Sequence, residues 1–116
     1  MSGRLIIRKK NGTYNLPFDQ VIYLEKELRK IKVYTQIEEY KCIEFYGRFE
    51  DIQEILDERF MQCNRSFIFN MDKIIVMTDS QVFLEGNIRI SLGRDSFSRG
   101  RKQLDEFLKK KYENSK

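Results

Sequence analysis

From Arg4 to Tyr46 the chain keeps a strand-like pattern, segment after segment, and this confines that stretch to β-structure. Arg4 to Lys9 and Thr13 to Leu16 flank Asn11-Gly12, a dipeptide that tolerates the left-handed backbone of a tight hairpin. Gln20 to Glu27 holds Val21, Ile22, Tyr23 and Leu24 in succession, an apolar run wide enough to be buried on both faces. Lys30 to Ile37 alternates, with lysines between Ile31, Val33 and the residues beyond. Tyr40 to Tyr46 sets Tyr40 and Cys42 against Lys41, then Ile43 and Phe45 against Glu44. β-Branched and aromatic side chains suit such half-buried pleated surfaces.

Gly47 ends this series and the period changes. Phe49, Ile52, Ile55 and Leu56 fall at helical spacing, so Phe49 to Glu58 is expected to form an acidic amphipathic helix. Acidic residues in its first turn suit the helix dipole. Beyond a break at Asn64-Arg65, Phe67-Ile68-Phe69 forms a compact apolar anchor. Lys73 to Thr78 and Gln81 to Leu84 read as a hairpin around Asp79-Ser80, and Glu85-Gly86-Asn87 turns into Ile88 to Leu92. Phe97 to Tyr112 is helical, with Phe97, Arg101, Leu104, Phe107, Leu108 and Tyr112 along one face. The polar residues after it are expected to fray. The expected fold is therefore mainly β: about ten short strands in small, mostly antiparallel sheets, one short helix and a C-terminal helix.

A chain of 116 residues, 41% hydrophobic and 34% charged, is expected to be one globular domain with its own core. No apolar run approaches the roughly 18 to 20 residues of a membrane span, and Leu5-Ile6-Ile7 is too short for a signal peptide. The expectation is a cytoplasmic protein without a membrane partner. The chain has no histidine, so triads and histidine-based proton transfer are excluded. Neither phosphate-binding glycine motif is present. Cys42 and Cys63, lacking CxxC spacing, read as two reduced, buried thiols rather than zinc ligands. No enzyme activity, metal or cofactor is expected.

Charge is unevenly spread. Residues 1–48 carry ten Lys/Arg and six Asp/Glu, residues 49–88 three and eight, and residues 89–116 nine and four. Basic ends around an acidic middle either form one cationic face, suited to phosphates, or are ordinary solvated charge.

The break inside Cys63-Asn64-Arg65-Ser66 places an amide beside a guanidinium. These are the side chains best fitted to bidentate bonding with base edges, Asn with adenine and Arg with guanine. The competing reading is local: Asn64 or Ser66 caps the turn, and Arg65 pairs with Glu58 or Asp57. Ser66 and Asn70 read more naturally as residues that satisfy backbone groups.

The string Phe60-Met61-Gln62-Cys63-Asn64-Arg65-Ser66-Phe67-Ile68-Phe69-Asn70 resembles the Phe-x-Arg-Cys-His-Arg-Ser-Phe/Tyr-x-Val-Asn core of LytTR-type DNA-binding domains of bacterial response regulators. Leu16 to Glu25 resembles the family's opening strand, and Ile43-Glu44-Phe45-Tyr46-Gly47 the strand before its helix, as in staphylococcal AgrA-like members. Ile88 to Arg94 resembles its final strand and Ser-x-Arg turn, so the likeness covers about residues 16 to 97. It implies a single LytTR-like domain over residues 1–116, with a core of about 14–97 and a basic helix of about 97–112. The family's receiver domain is not present; an excised output domain and a free-standing regulator both fit.

The resemblance also implies how the chain would act. Loops, rather than a recognition helix, would enter successive major grooves of double-stranded promoter DNA carrying direct repeats. A second copy would occupy the tandem site, and a receiver domain in the full-length protein would control pairing. Quorum sensing and virulence are typical settings. The residues carried over are Arg29, Lys30 and Lys32 in the first loop, Asn64 and Arg65 in the motif, and Arg94 after Ser91. Asn64 stands where the family usually has His. Arg94 follows Ser91 by three places, one more than the family's longer spacing. Ser91, Ser96 and Arg99 would touch phosphate, with Arg101 and Lys102 following on the helix. The acidic helix would lie behind the reading surface. A rival from another class is a β-rich interaction module that docks an acidic protein through its basic C-terminal helix.

Overall fold

The computed structural model describes residues 3–113. The expectation for the polar tail beyond Glu113 lies outside these residues. Strands β1 (Arg4–Lys9) and β2 (Gly12–Pro17) pair as a hairpin, with Lys9 opposite Gly12. The turn is Lys10-Asn11, one residue earlier than the dipeptide suggested, and Gly12 follows it at φ 155°.

Five strands make the central sheet. They are β3 (Val21–Glu27), β4 (Lys30–Thr35), β5 (Cys42–Tyr46), β6 (Phe60–Gln62) and β7 (Phe67–Asn70), in the order β5-β4-β3-β7-β6. Helix α1 (Phe49–Gln53) connects β5 to β6. A third sheet, ordered β10-β9-β8, contains β8 (Ile74–Thr78), β9 (Gln81–Leu84) and β10 (Ile88–Ser91). Helix α2 (Arg94–Leu108) follows and closes in a wider turn at Lys109–Glu113. All pairings are antiparallel, and ten strands are present among the described residues.

The central sheet is buried on both faces because each has its own core. One face carries Leu24, Ile31, Val33, Ile43 and Ile68 against the β1–β2 hairpin and the Phe49 and Ile52 side chains of α1. The other carries Tyr23, Met61, Cys63 and Phe69 against Val82, Leu84 and Leu104. β3 lies in the middle and feeds both. An irregularity between Val21 and Tyr23 turns Val21 and Leu24 to one side and Ile22 and Tyr23 to the other. Asn70, at the end of β7, is fully buried. Its amide donates to the Phe18 and Val21 carbonyls (3.2 and 2.8 Å), and its oxygen accepts from Asp72 N–H at 3.0 Å. That is the backbone-satisfying role its sequence position suggested.

Four further local expectations need correction. The acidic helix stops at Gln53 instead of running to Glu58, because Ile55 faces solvent and Asp57 starts a turn by accepting Arg59 N–H and its guanidinium. The last helix begins at Arg94, three residues before Phe97, with Phe97 N–H closing on Gly93 O at 2.9 Å. Cys42 is exposed: β5 is an edge strand whose inward residues are Ile43 and Phe45, leaving Cys42, Glu44 and Tyr46 on the outer face. In the Phe67-Ile68-Phe69 anchor, Ile68 and Phe69 are buried, whereas Phe67 is half-buried at the rim, stacked on Phe69.

Candidate nucleic-acid interface

The turn between β6 and β7 is built by its own asparagine. Asn64 Oδ1 accepts the N–H groups of Ser66 (2.8 Å) and Phe67 (3.0 Å), which closes the turn locally. Gln62 Nε2 donates to the Asn64 carbonyl at 3.0 Å, and Lys26 N–H donates to Ser66 O at 2.8 Å, tying the turn to β3. Both lone pairs of Asn64 Oδ1 are thereby used. Bidentate pairing of this amide with adenine requires that same oxygen, so the capping arrangement and bidentate readout exclude each other. Arg65 sits beside it, exposed, with no salt bridge or side-chain hydrogen bond among the described residues. Asp57, one of its possible partners, is engaged by Arg59 at 3.0 Å.

The first turn of α2 rests on this turn. Cys63 Sγ donates to Ser96 O at 3.2 Å, and Asn64 Nδ2 lies 3.5 Å from Ser96 Oγ. Gly100 makes the approach possible, since a Cβ there would stand 2.8 Å from both Cys63 Sγ and Met77 Cε. Burial pushes the Cys63 thiol up from its ordinary pKa, and the positive charge of Arg99 partly opposes this. Ser96 is thus half-buried and committed to positioning. Arg94 and Arg99, together with Ser91 at the end of β10, are exposed.

The third element is the β3–β4 turn. Glu27 faces Lys30 across a two-residue tip, Leu28-Arg29, and Leu28 adopts φ 57°. Gly47 N–H donates to Arg29 O at 3.1 Å, pinning the tip to the end of β5. The loop's three cations are not equivalent. Lys32 pairs with Glu27 at 2.7 Å, its side chain is 24% exposed, and its hydrogen bond, followed by its positive charge, holds the Glu27 carboxyl below its usual range. Lys30 reaches Glu44 at 3.4 Å and lies 5.9 Å from the Tyr46 ring centroid. Arg29 has no acidic partner among the described residues.

Since β3 runs antiparallel to both β4 and β7, the β3–β4 and β6–β7 turns fall at the same end of the central sheet. The start of α2 joins them through Cys63 and Asn64. Arg29, Arg65, Arg94 and Arg99 therefore stand on elements at one end of the molecule, each exposed and without an acidic partner among the described residues. A further basic element escaped the sequence reading. Arg8, Lys9 and Lys10 at the β1–β2 tip line a cleft of about 430 Å³ with Lys30, Glu44 and Tyr46, and Lys9 Nζ donates to Glu44 O at 2.6 Å. Only the run of three cations signalled it, without any indication that the hairpin would fold beside Lys30. Arg101 and Lys102 are exposed on α2, while Lys111 turns back to Asp72 at 2.7 Å.

Comparison with known proteins agrees with this architecture. The family model described as LytTr DNA-binding domain matches residues 11–109. Accessory gene regulator protein A from two strains of Staphylococcus epidermidis is 30% identical over 67 residues, which is 58% of this chain and 27% of each relative. The match thus spans about a quarter of the length of these relatives. A solved structure of a LytTr DNA-binding domain from Bacillus cereus superimposes with a TM-score of 0.71 at 23% identity, covering 88% of this chain and 96% of the other.

Proposed function

Because the chain belongs to the LytTr DNA-binding domain family, we propose that it binds double-stranded DNA sequence-specifically, as the output domain of a bacterial transcriptional regulator. The turns at one end of the central sheet insert into successive major grooves of promoter direct repeats. The observation that carries this reading is the convergence of Arg29, Arg65, Arg94 and Arg99, exposed and without acidic partners among the described residues, on that single end. An unpaired guanidinium is available for a guanine edge or a phosphate, whereas one in an ion pair must first give up its partner.

Roles divide by what each side chain already holds. Arg65 and Arg94 read bases, with Arg29 at the tip of the first loop. Lys30, Lys32, Ser91, Ser96 and Arg99 serve phosphates or hold the loops in place. Asn64 shapes the turn that aims Arg65, and its amide N–H remains available for one further acceptor. A second copy occupies the neighbouring repeat, and an attached receiver domain governs pairing.

Selection of bound duplexes from a random pool, followed by anisotropy titration, tests this. Arg65→Ala is expected to cost about 1–3 kcal/mol on the selected duplex and to relax its base preference at one position. Equal losses on selected and scrambled duplexes would remove Arg65 from base reading. Failure of the unaltered domain to retain any duplex at low salt would end the DNA-binding reading itself.

A further inference from the structure

Leu28 occupies the β3–β4 tip with 91% of its surface exposed, at φ 57°. Both facts run against the residue. A left-handed backbone is sterically costly for any side chain with a Cβ, and a two-residue hairpin tip ordinarily takes Gly, Asn or Asp there. Nor does the leucine gain from burial, since it touches none of the core. It is the most exposed of the large apolar side chains among the described residues, and Tyr46, 74% exposed, lines the same shallow surface with Glu27, Arg29 and Lys30. The tip is also held from two sides, by Gly47 N–H on Arg29 O and by the Lys32–Glu27 ion pair at its base. An apolar group is thus presented to solvent on a fixed mount, with cations beside it.

We propose that Leu28 is a specificity-determining residue that packs against the C5-methyl group of a thymine in the major groove. This rests on the DNA-binding reading above and adds a base preference to it. Two paired strands lie about 5 Å apart. β4 stays paired with β5 up to Lys30 and Tyr46, so only the Leu28-Arg29 tip projects, a point narrow enough to enter a major groove about 12 Å wide. Inside it, the thymine methyl is the one apolar feature of the base edges. The flanking Lys30 faces a phosphate wall while the leucine, beside Arg29, faces the floor. A protein partner would also accept an exposed leucine, but the Arg29 guanidinium beside it, without an acidic partner among the described residues, favours the polyanion.

The experiment uses the duplex selected by the unaltered domain, and the same duplex with each thymine replaced in turn by deoxyuridine, which lacks only the methyl group. At one position the replacement is expected to weaken the unaltered domain about three- to four-fold, the value of one methyl removed from water. Leu28→Gly is expected to bind the thymine duplex more weakly and to respond no further to that replacement. Its melting temperature should not fall, because glycine accepts the left-handed backbone without strain. Identical deoxyuridine penalties in both proteins at every position would overturn the proposal while leaving DNA binding intact. So would the absence of any penalty in the unaltered domain. If that domain retained no duplex at all, both readings would fall together.

Discussion

The two turns that share the end of the central sheet are built on opposite plans. In the β6–β7 turn a side chain holds the backbone: Asn64 Oδ1 accepts two N–H groups, leaving Arg65 as the outward group. In the β3–β4 turn the backbone needs no such help. Ladder pairing of Glu27 with Lys30 closes it, Gly47 pins it, and both tip side chains are left in water at the cost of a left-handed leucine. The first plan invests a polar side chain in geometry and presents one cation. The second accepts backbone strain and presents an apolar group beside a cation. A residue type that suits base readout is therefore not by itself a reader; its remaining hydrogen-bonding capacity decides.

The largest effects should come from the anchor beneath the first turn. Phe69→Ala is expected to cost about 3–5 kcal/mol by denaturant titration, since Phe69 is fully buried in the core beneath α2. Phe67→Ala should cost clearly less, because that ring lies at the rim. Equal costs would show that the anchor is not graded as the burial implies. Gly100→Ala is expected next, at about 1–3 kcal/mol, since the new methyl collides with Cys63 and Met77. It should also weaken DNA binding by displacing the start of α2.

The sharpest test of the contrast is a pair of changes in one turn. Asn64→Ala should lower stability by about 1 kcal/mol, as loss of a capping side chain does. It should weaken binding to selected and scrambled duplexes alike. Arg65→Ala should leave stability within about 0.5 kcal/mol and act on the selected duplex only. Were Asn64→Ala instead to change base preference without changing stability, the assignment of shaping and reading would be reversed.

The mildest prediction concerns the root of the second turn. Tyr23 and Tyr34 stack with ring centroids 4.4 Å apart, and burial, followed by nearby acidic groups, pushes the Tyr34 hydroxyl up from 10.0 to about 12. The Tyr23 hydroxyl is raised as well, chiefly by burial. The folded state therefore keeps these protons after the unfolded chain has released them. Their contribution is intact below pH 10 and is lost as pH rises from there through about 12. Denaturation midpoints followed across that interval should fall, and Tyr34→Phe should flatten the decline.

Local chemistry was legible wherever one segment decided it. The four apolar residues Val21 to Leu24 announced a strand covered on both sides, Asp79-Ser80 a hairpin turn, and Asn70 a backbone-satisfying asparagine. What escaped depended on neighbours distant in sequence. Ile55 kept the helical period but found no surface to cover. Cys42 looked interior because nothing in its segment reveals that β5 lies at an edge. Arg94 looked like part of a turn because Gly93 carries no capping side chain, although a helix begins there. The commitment of Asn64 to its own backbone, and of Lys32 to Glu27, likewise emerges only once the strands are paired.

The absent side chain at Gly100 has a mechanical consequence. With helix backbone lying directly on the Cys63 sulfur, and Ser96 beside Cys63 and Asn64, the turn that carries Arg65 is seated on the start of the helix that carries Arg94. The two backbone positions are set relative to each other before any duplex arrives, like the jaws of a set caliper, and only the arginine side chains are left to adjust. A promoter whose contacted bases lie beyond the reach of those side chains must bend or twist to be read, and the cost of that distortion falls on the DNA.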